Sequence, residues 1–153
     1  MNDADIVALM REINFLDEVS DENMAALAAI TRLVEFPEAQ VLFREGDVTD
    51  DIYIVVDGQV SLEICASGVG CRRIMTVSSG ELLGWSPLLE QARLTATART
   101  IAPTSALQIS ANQILTLCEH NPRFGYEFMR RMALALAKRL SAARIQLLNV
   151  YGS

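Results

Sequence analysis

Residues 80–100, GELLGWSPLLEQARLTATART, decide the reading of this chain. The stretch runs as a strand end, a tight glycine turn, one short helix, a loop and a returning strand. Gly80 and Gly84 can take backbone angles that other residues avoid, so the main chain can turn sharply and approach a ligand closely. Ser86-Pro87 is a helix-start pair: a hydroxyl that accepts a free backbone N–H, then a ring already set at the helical φ. The N–H groups of that first turn would face Gly84, where they could hold a phosphate or a carboxylate. Leu88 and Leu89 would anchor the short helix on a core, and Arg93 and Arg99 flank the exit. By local chemistry alone this is either a small anion cradle or an ordinary helix cap, and the order of elements around it must decide.

Upstream and downstream the middle of the chain is all strand. Val41-Leu42-Phe43 is a short apolar run ended by Arg44-Glu45-Gly46-Asp47. Residues 52–56 are rich in β-branched side chains and precede Asp57-Gly58, a strong two-residue hairpin signal. Val60, Leu62 and Ile64 alternate with Ser61 and Glu63, and Ser67-Gly68-Val69-Gly70 turns the chain into residues 72–77. Residues 95–101 form a strand beyond the cradle, Ala102-Pro103-Thr104 turns it, and residues 106–109 close the series. Short strands with glycine turns every 8–12 residues imply a sandwich or barrel. A jelly roll over residues 36–110 is the natural architecture.

Helices flank it. Ile6, Leu9, Met10 and Ile13 recur at helical spacing, and Ser20 opens a second helix with Asp21 and Glu22 in its first turn and Met24, Leu27 and Ile30 on its buried face, so residues 1–35 read as helical. Ser110 to Gln113 is a capping box, and Asn121-Pro122 starts a helix reaching Val150, so residues 111–150 read as helical too. Met129, Met132, Leu136, Leu140, Ala143, Leu147 and Val150 step by three or four. Some 25 residues of helix span about 37 Å, more than such a barrel covers, which favours a homodimer through the outer half. The fold class is α+β: one domain over 1–153, an antiparallel jelly-roll barrel with N-terminal helices and a long C-terminal helix.

Composition narrows the function. At 153 residues the chain can bury a sound core. It has no run near the ~18 apolar residues of a membrane span, and acids stand where a secretory signal would carry lysine or arginine. Cys65, Cys71 and Cys118 are odd in number and hold no CxxC pair, so they read as small buried hydrophobes in a reducing cytoplasm. The net charge of −6 divides unevenly: residues 1–57 hold 14 acids against three arginines, whereas residues 120–153 hold six bases against Glu127. A basic terminal helix could meet nucleic acid, but no aromatics are interleaved for base stacking, and docking on the acidic half or plain solvation is favoured. His120 is the sole histidine and sits at a helix end, which argues against a metal site, a cofactor-dependent enzyme or a nucleophile–histidine–acid set. Nothing follows Ser153 to make a helix-turn-helix reader, so direct DNA binding is not expected.

With FREGD at residues 43–47, DGQV at 57–60, GELLG at 80–84 and Thr95-Ala96-Thr97 on the page, the chain resembles the cyclic nucleotide-binding domain of catabolite-activator-type regulators over residues 10–150. The resemblance implies a ligand cassette at Gly84, Trp85, Ser86, Pro87, Leu88, Arg93, Leu94, Thr95 and Ala96, with base contacts from the long helix near Ala143 and Arg144. It also implies a cyclic nucleotide, cyclic AMP or cyclic GMP, as ligand. The cassette departs from the family at two places: Trp85 stands at the position of a ribose-binding glutamate and Leu94 at that of a phosphate-binding arginine. Losing a bidentate arginine–phosphate contact costs about 1.5–3 kcal/mol. Arg93, one residue away, could reach the phosphate or lie solvated; Trp85 could stack on a base or fill the pocket. Three readings follow: a non-enzymatic sensor signalling through its terminal helix, a degenerate domain kept for dimerisation or docking of a protein partner, and the sensory subunit of a regulator whose DNA-binding part is on another chain.

Overall fold

The computed structural model describes residues 2–89 and 93–151. Helix α1 (Asp3–Arg11) leads through a 3-10 turn (Asn14–Leu16) to α2 (Asp21–Ala29). Eight strands follow: β1 (Thr31–Phe36), β2 (Val41–Phe43), β3 (Asp51–Asp57), β4 (Val60–Ala66), β5 (Gly70–Val77), β6 (Leu82–Leu83), β7 (Thr97–Thr100) and β8 (Thr104–Ser110). Helices α3 (Ala111–His120) and α4 (Pro122–Tyr151) complete the chain. The strands form two four-stranded antiparallel sheets, ordered β1-β8-β3-β6 and β2-β7-β4-β5. This is the jelly roll that the turn spacing implies, with helices at both ends.

The pleat divides the core in two. From β3, Ile52 and Ile54 face the helices while Tyr53 and Val55 face the barrel interior; from β6, Leu82 faces the helices and Leu83 the interior. A sheet buried on both faces reads as a continuous apolar run rather than an alternation, which is why residues 52–56 look as they do. The inner cluster joins Phe43, Val60, Leu62, Val77, Leu94 and Ala98. The outer one joins Leu107 and Ile109 to Ile6, Met10, Leu27, Ile114, Phe128 and Met132. Phe15 meets Phe128 edge-on at 5.5 Å, pinning the 3-10 turn to α4. Ser20 caps α2 through Asn23 N–H, Ser110 caps α3 through Gln113 N–H, and Asn121 Oδ1 accepts from Phe124 N–H at the start of α4.

Four expectations are corrected. Residues 31–35 are strand rather than helix: Thr31–Phe36 pairs along its whole length with β8. Asp57-Gly58 is not a hairpin, because β3 and β4 belong to different sheets. Gly58 instead passes the chain from one sheet to the other at φ +108°, where a Cβ would stand 2.5 Å from Thr104 Oγ1. The strand placed over 95–101 is confined to Thr97–Thr100. Cys65 and Cys71 are not free buried thiols but a disulfide across the exposed end of the β4–β5 hairpin, where the strand register sets them opposite each other. Cys118 is free and half-buried.

Tyr53 lies between Phe36 and Phe43. Burial lifts its phenol above the ordinary value of 10.0, the Asp51 carboxylate adds to the lift, and Arg32 opposes it. A raised folded-state value gives stability that is whole below pH 10 and lost as pH rises through the folded-state value. Unfolding free energy should therefore fall above pH ~10, and Tyr53→Phe should make that fall shallower. Equal alkaline slopes for the two proteins in denaturant titrations would remove Tyr53 as the cause.

Candidate ligand-binding site

Gly84 leaves β6 at φ +75°, and a Cβ there would approach Phe43 Cε2 to 3.2 Å, so only glycine lets the strand end turn so close to the ring. Trp85 follows, half-buried against the outer core. Residues Ser86–Leu89 form a single 3-10 turn rather than an α-helix, closed by Leu88 N–H donating to Trp85 O at 2.9 Å. Ser86 is thus inside the turn, buried, and Trp85 supplies the closing carbonyl. Pro87 is half-buried, and Leu88 is buried in the outer core beside α3.

The second half of the cassette is tied to the FREGD loop. Leu94 N–H donates to Asp47 O and Gly46 N–H donates to Leu94 O, at 2.9 and 2.7 Å. Glu45 N–H donates to Thr97 Oγ1, and Asp47 Oδ2 accepts from Arg44 N–H. The loop's acid therefore closes its own turn. Leu94 is 4% exposed and Ala96 9%, both within the inner apolar cluster, while Thr95 is exposed. Arg93 is exposed and donates Nη1 to Gly46 O at 2.9 Å, so its guanidinium is held at the loop.

The residue that brings the long helix to the cassette is one the sequence reading counts only as charge. Arg139 of α4 donates Nη2 to Leu82 O at 2.6 Å, and its guanidinium carbon lies 4.6 Å from the centre of the Trp85 ring. Such a stacked cation contributes about 0.5–2 kcal/mol. Burial draws the Arg139 pKa below its ordinary value and the Glu81 carboxylate pushes it back up; an arginine remains charged. Ala143 and Arg144, one turn further on, are exposed. The only hint in the sequence was the helical repeat: Arg139 falls seven residues after the buried Met132, on the face that meets the body.

The matches to known proteins agree with this architecture. Residues 33–121 match the model of the cyclic nucleotide-binding domain. The chain belongs to that family. It is 28% identical over 112 residues to the cyclic AMP receptor protein of Thermus thermophilus, covering 73% of this chain and 50% of that protein. The chain spans about half the length of the curated catabolite-activator-type relatives it matches. Among solved structures, a putative cyclic nucleotide-binding protein from Geobacter metallireducens is 25% identical with a TM-score of 0.76, over 86% of this chain and 95% of that one. A cyclic nucleotide-binding domain from Methylobacillus flagellatus shares the fold at 20% identity and a TM-score of 0.81, over 96% of this chain and 83% of that one. Membership of the cyclic nucleotide-binding domain family supports a ligand-sensing regulatory role for this domain.

The departure that the resemblance implies at Leu94 has a physical consequence. Its side chain completes the inner core beside Phe43 and Leu83, so an arginine there would bury a cation among hydrocarbon. Leu94→Arg should therefore destabilise the domain by about 3 kcal/mol or more rather than restore a phosphate clamp. Thermal melting with and without cyclic AMP checks this, and an unchanged midpoint would show that the site has room for the guanidinium.

Proposed function

We propose that this domain is a non-enzymatic sensor in which a small anionic ligand, in family terms a cyclic nucleotide such as cyclic AMP or cyclic GMP, alters the pose of α4. The observation that carries the reading is Arg139, which joins α4 to the cassette at two points, the carbonyl of Leu82 and the ring of Trp85. A ligand that displaced Trp85 or competed for the guanidinium would be felt directly by the helix. It could shift the helix only by its differential affinity for the two poses.

The output is association through the outer half of α4. Beyond Leu136 the apolar positions Leu140, Ala143, Leu147 and Val150 are exposed, in a three- and four-residue rhythm suited to pairing with a second copy. A cytoplasmic location is part of the proposal; there the exposed Cys65–Cys71 disulfide would meet a reducing thiol pool. No helix among the described residues is long and apolar enough to cross a membrane. A second reading, a domain kept for dimerisation or partner docking, is favoured by the apolar filling at Leu94 and the stacked Trp85.

Calorimetric titration with cyclic AMP, cyclic GMP and linear nucleotides separates the two. The sensor reading expects saturable binding by at least one nucleotide, a raised melting temperature by mass action, and a loss of about a decade in affinity in Trp85→Leu. Flat traces throughout would leave the docking module. Independently, sedimentation should show Leu147→Glu shifting a dimer to monomer without lowering the monomer's own melting temperature.

A further inference from the structure

A cavity of about 550 Å³ lies between α4, the first 3-10 turn and the β5–β6 corner; Gly84, Trp85 and Leu94 do not line it. We propose that it is a binding site for an amphipathic monoanion, a carboxylate head on a short apolar tail. Its volume falls in the range of small-molecule sites, and its apolar walls include Phe15, Met75 and Leu134.

The charge on its walls sets the class of ligand. Arg131 is already committed, to the Glu18 carboxylate and the Asn14 carbonyl. Lys138 and Arg139 remain against the single carboxylate of Glu81, leaving one positive charge to be matched. Arg139 also carries the clearest sign of an incomplete site. Its Nη2 is bound to Leu82 O, but Nη1 is buried with no hydrogen-bond partner among the described residues. A buried cationic donor without an acceptor is costly, and a carboxylate seated at this wall would be the acceptor it lacks once the side chain turns Nη1 from its buried position towards the cavity. One positive charge and a guanidinium fork half-occupied by a carbonyl suit a carboxylate better than a phosphate dianion.

The site stays open in a dimer. Leu134, Lys138 and Ala142, four residues apart, present one face of α4 to the cavity. At 3.6 residues per turn, the seam of Leu136, Leu140, Ala143, Leu147 and Val150 is centred roughly 160° round the helix from it. A ligand here would therefore act on Arg139, and through it on Trp85, without competing with a second copy. The proposal does not require the cassette to bind a nucleotide.

The test is calorimetry of the full chain with octanoate, alongside 1-octanol and acetate, which separate tail from head. Octanoate should bind saturably, with 1-octanol and acetate each at least tenfold weaker. Leu134 is half-exposed, so Leu134→Asp should keep the fold, as its melting curve will show, and weaken octanoate about tenfold; Lys138→Gln should weaken it about threefold. Leu147→Glu, on the other face, should leave it unchanged. The proposal is overturned by no saturable heat at millimolar octanoate, by equal binding of 1-octanol, by inorganic phosphate binding as tightly as octanoate, by indifference to both cavity variants, or by loss of binding in Leu147→Glu.

Discussion

One partly buried cation organises the relation between the cassette and the long helix. Taking a guanidinium out of water costs several kcal/mol unless its donors are met and its charge is faced. Arg139 meets that cost in part, with a backbone carbonyl from β6, an indole face and the nearby Glu81 carboxylate. Each of these lies on the β6–cassette segment, residues 81–85, and none lies on α4 itself. The helix therefore cannot rock away from the barrel without stripping partners from a desolvated charge. Phe128 and Met132, packed in the outer core, fix the first turns of α4, and Arg139 holds it further along.

The sheet topology explains why that hold sits where it does. Leu82 and Leu83 form the shortest strand, at the edge of the sheet that carries both cores, one side chain to the helices and the next to the barrel. The backbone carbonyl of Leu82 is thus offered outward at the sheet edge, where a side chain of α4 can reach it. Gly84 then turns the chain under Phe43, which lets Trp85 return to the helical side. On the barrel side, the FREGD loop is stitched to residues 93–97 by backbone hydrogen bonds, so Leu94 is held in place by main chain as well as by hydrophobic burial. At the position where the family resemblance implies a polar clamp, leucine makes this wall part of the core.

Much of this was legible in the sequence, and the parts that were not share a cause. Strands with strong turn chemistry, such as β4 and β5 about Gly68 and Gly70, declare themselves locally. The helix starts at Ser20, Ser110 and Asn121 do so as well, because a cap is a contact over three residues. Pairing between distant strands has no local sign. Asp57-Gly58 looks like a hairpin because the left-handed backbone that a two-residue hairpin needs is the same one the sheet-to-sheet crossing uses. The Cys65–Cys71 bridge could have been inferred from the hairpin register, since a turn over residues 67–69 sets these two opposite each other. The count of three cysteines obscured it. Arg139 was illegible for a different reason: nothing in a helix repeat says that a charged side chain on the inner face will find a carbonyl 57 residues upstream and an indole three residues nearer.

The energetics of this link set how α4 could be switched. A stacked cation and one hydrogen bond from a charged donor are together worth a few kcal/mol at most, once desolvation is subtracted. Couplings of 1–3 kcal/mol are typical where occupancy of one site alters another. A link of that size is strong enough to hold one pose at rest and weak enough for a ligand of ordinary affinity to reverse. The buried, unpartnered Nη1 makes the resting pose less favourable than a fully satisfied arginine would be. It also narrows the gap a ligand must close. A completely bonded Arg139 would make a better strut and a poorer switch; the incomplete bonding is the arrangement that the proposed repositioning of α4 by a ligand would need.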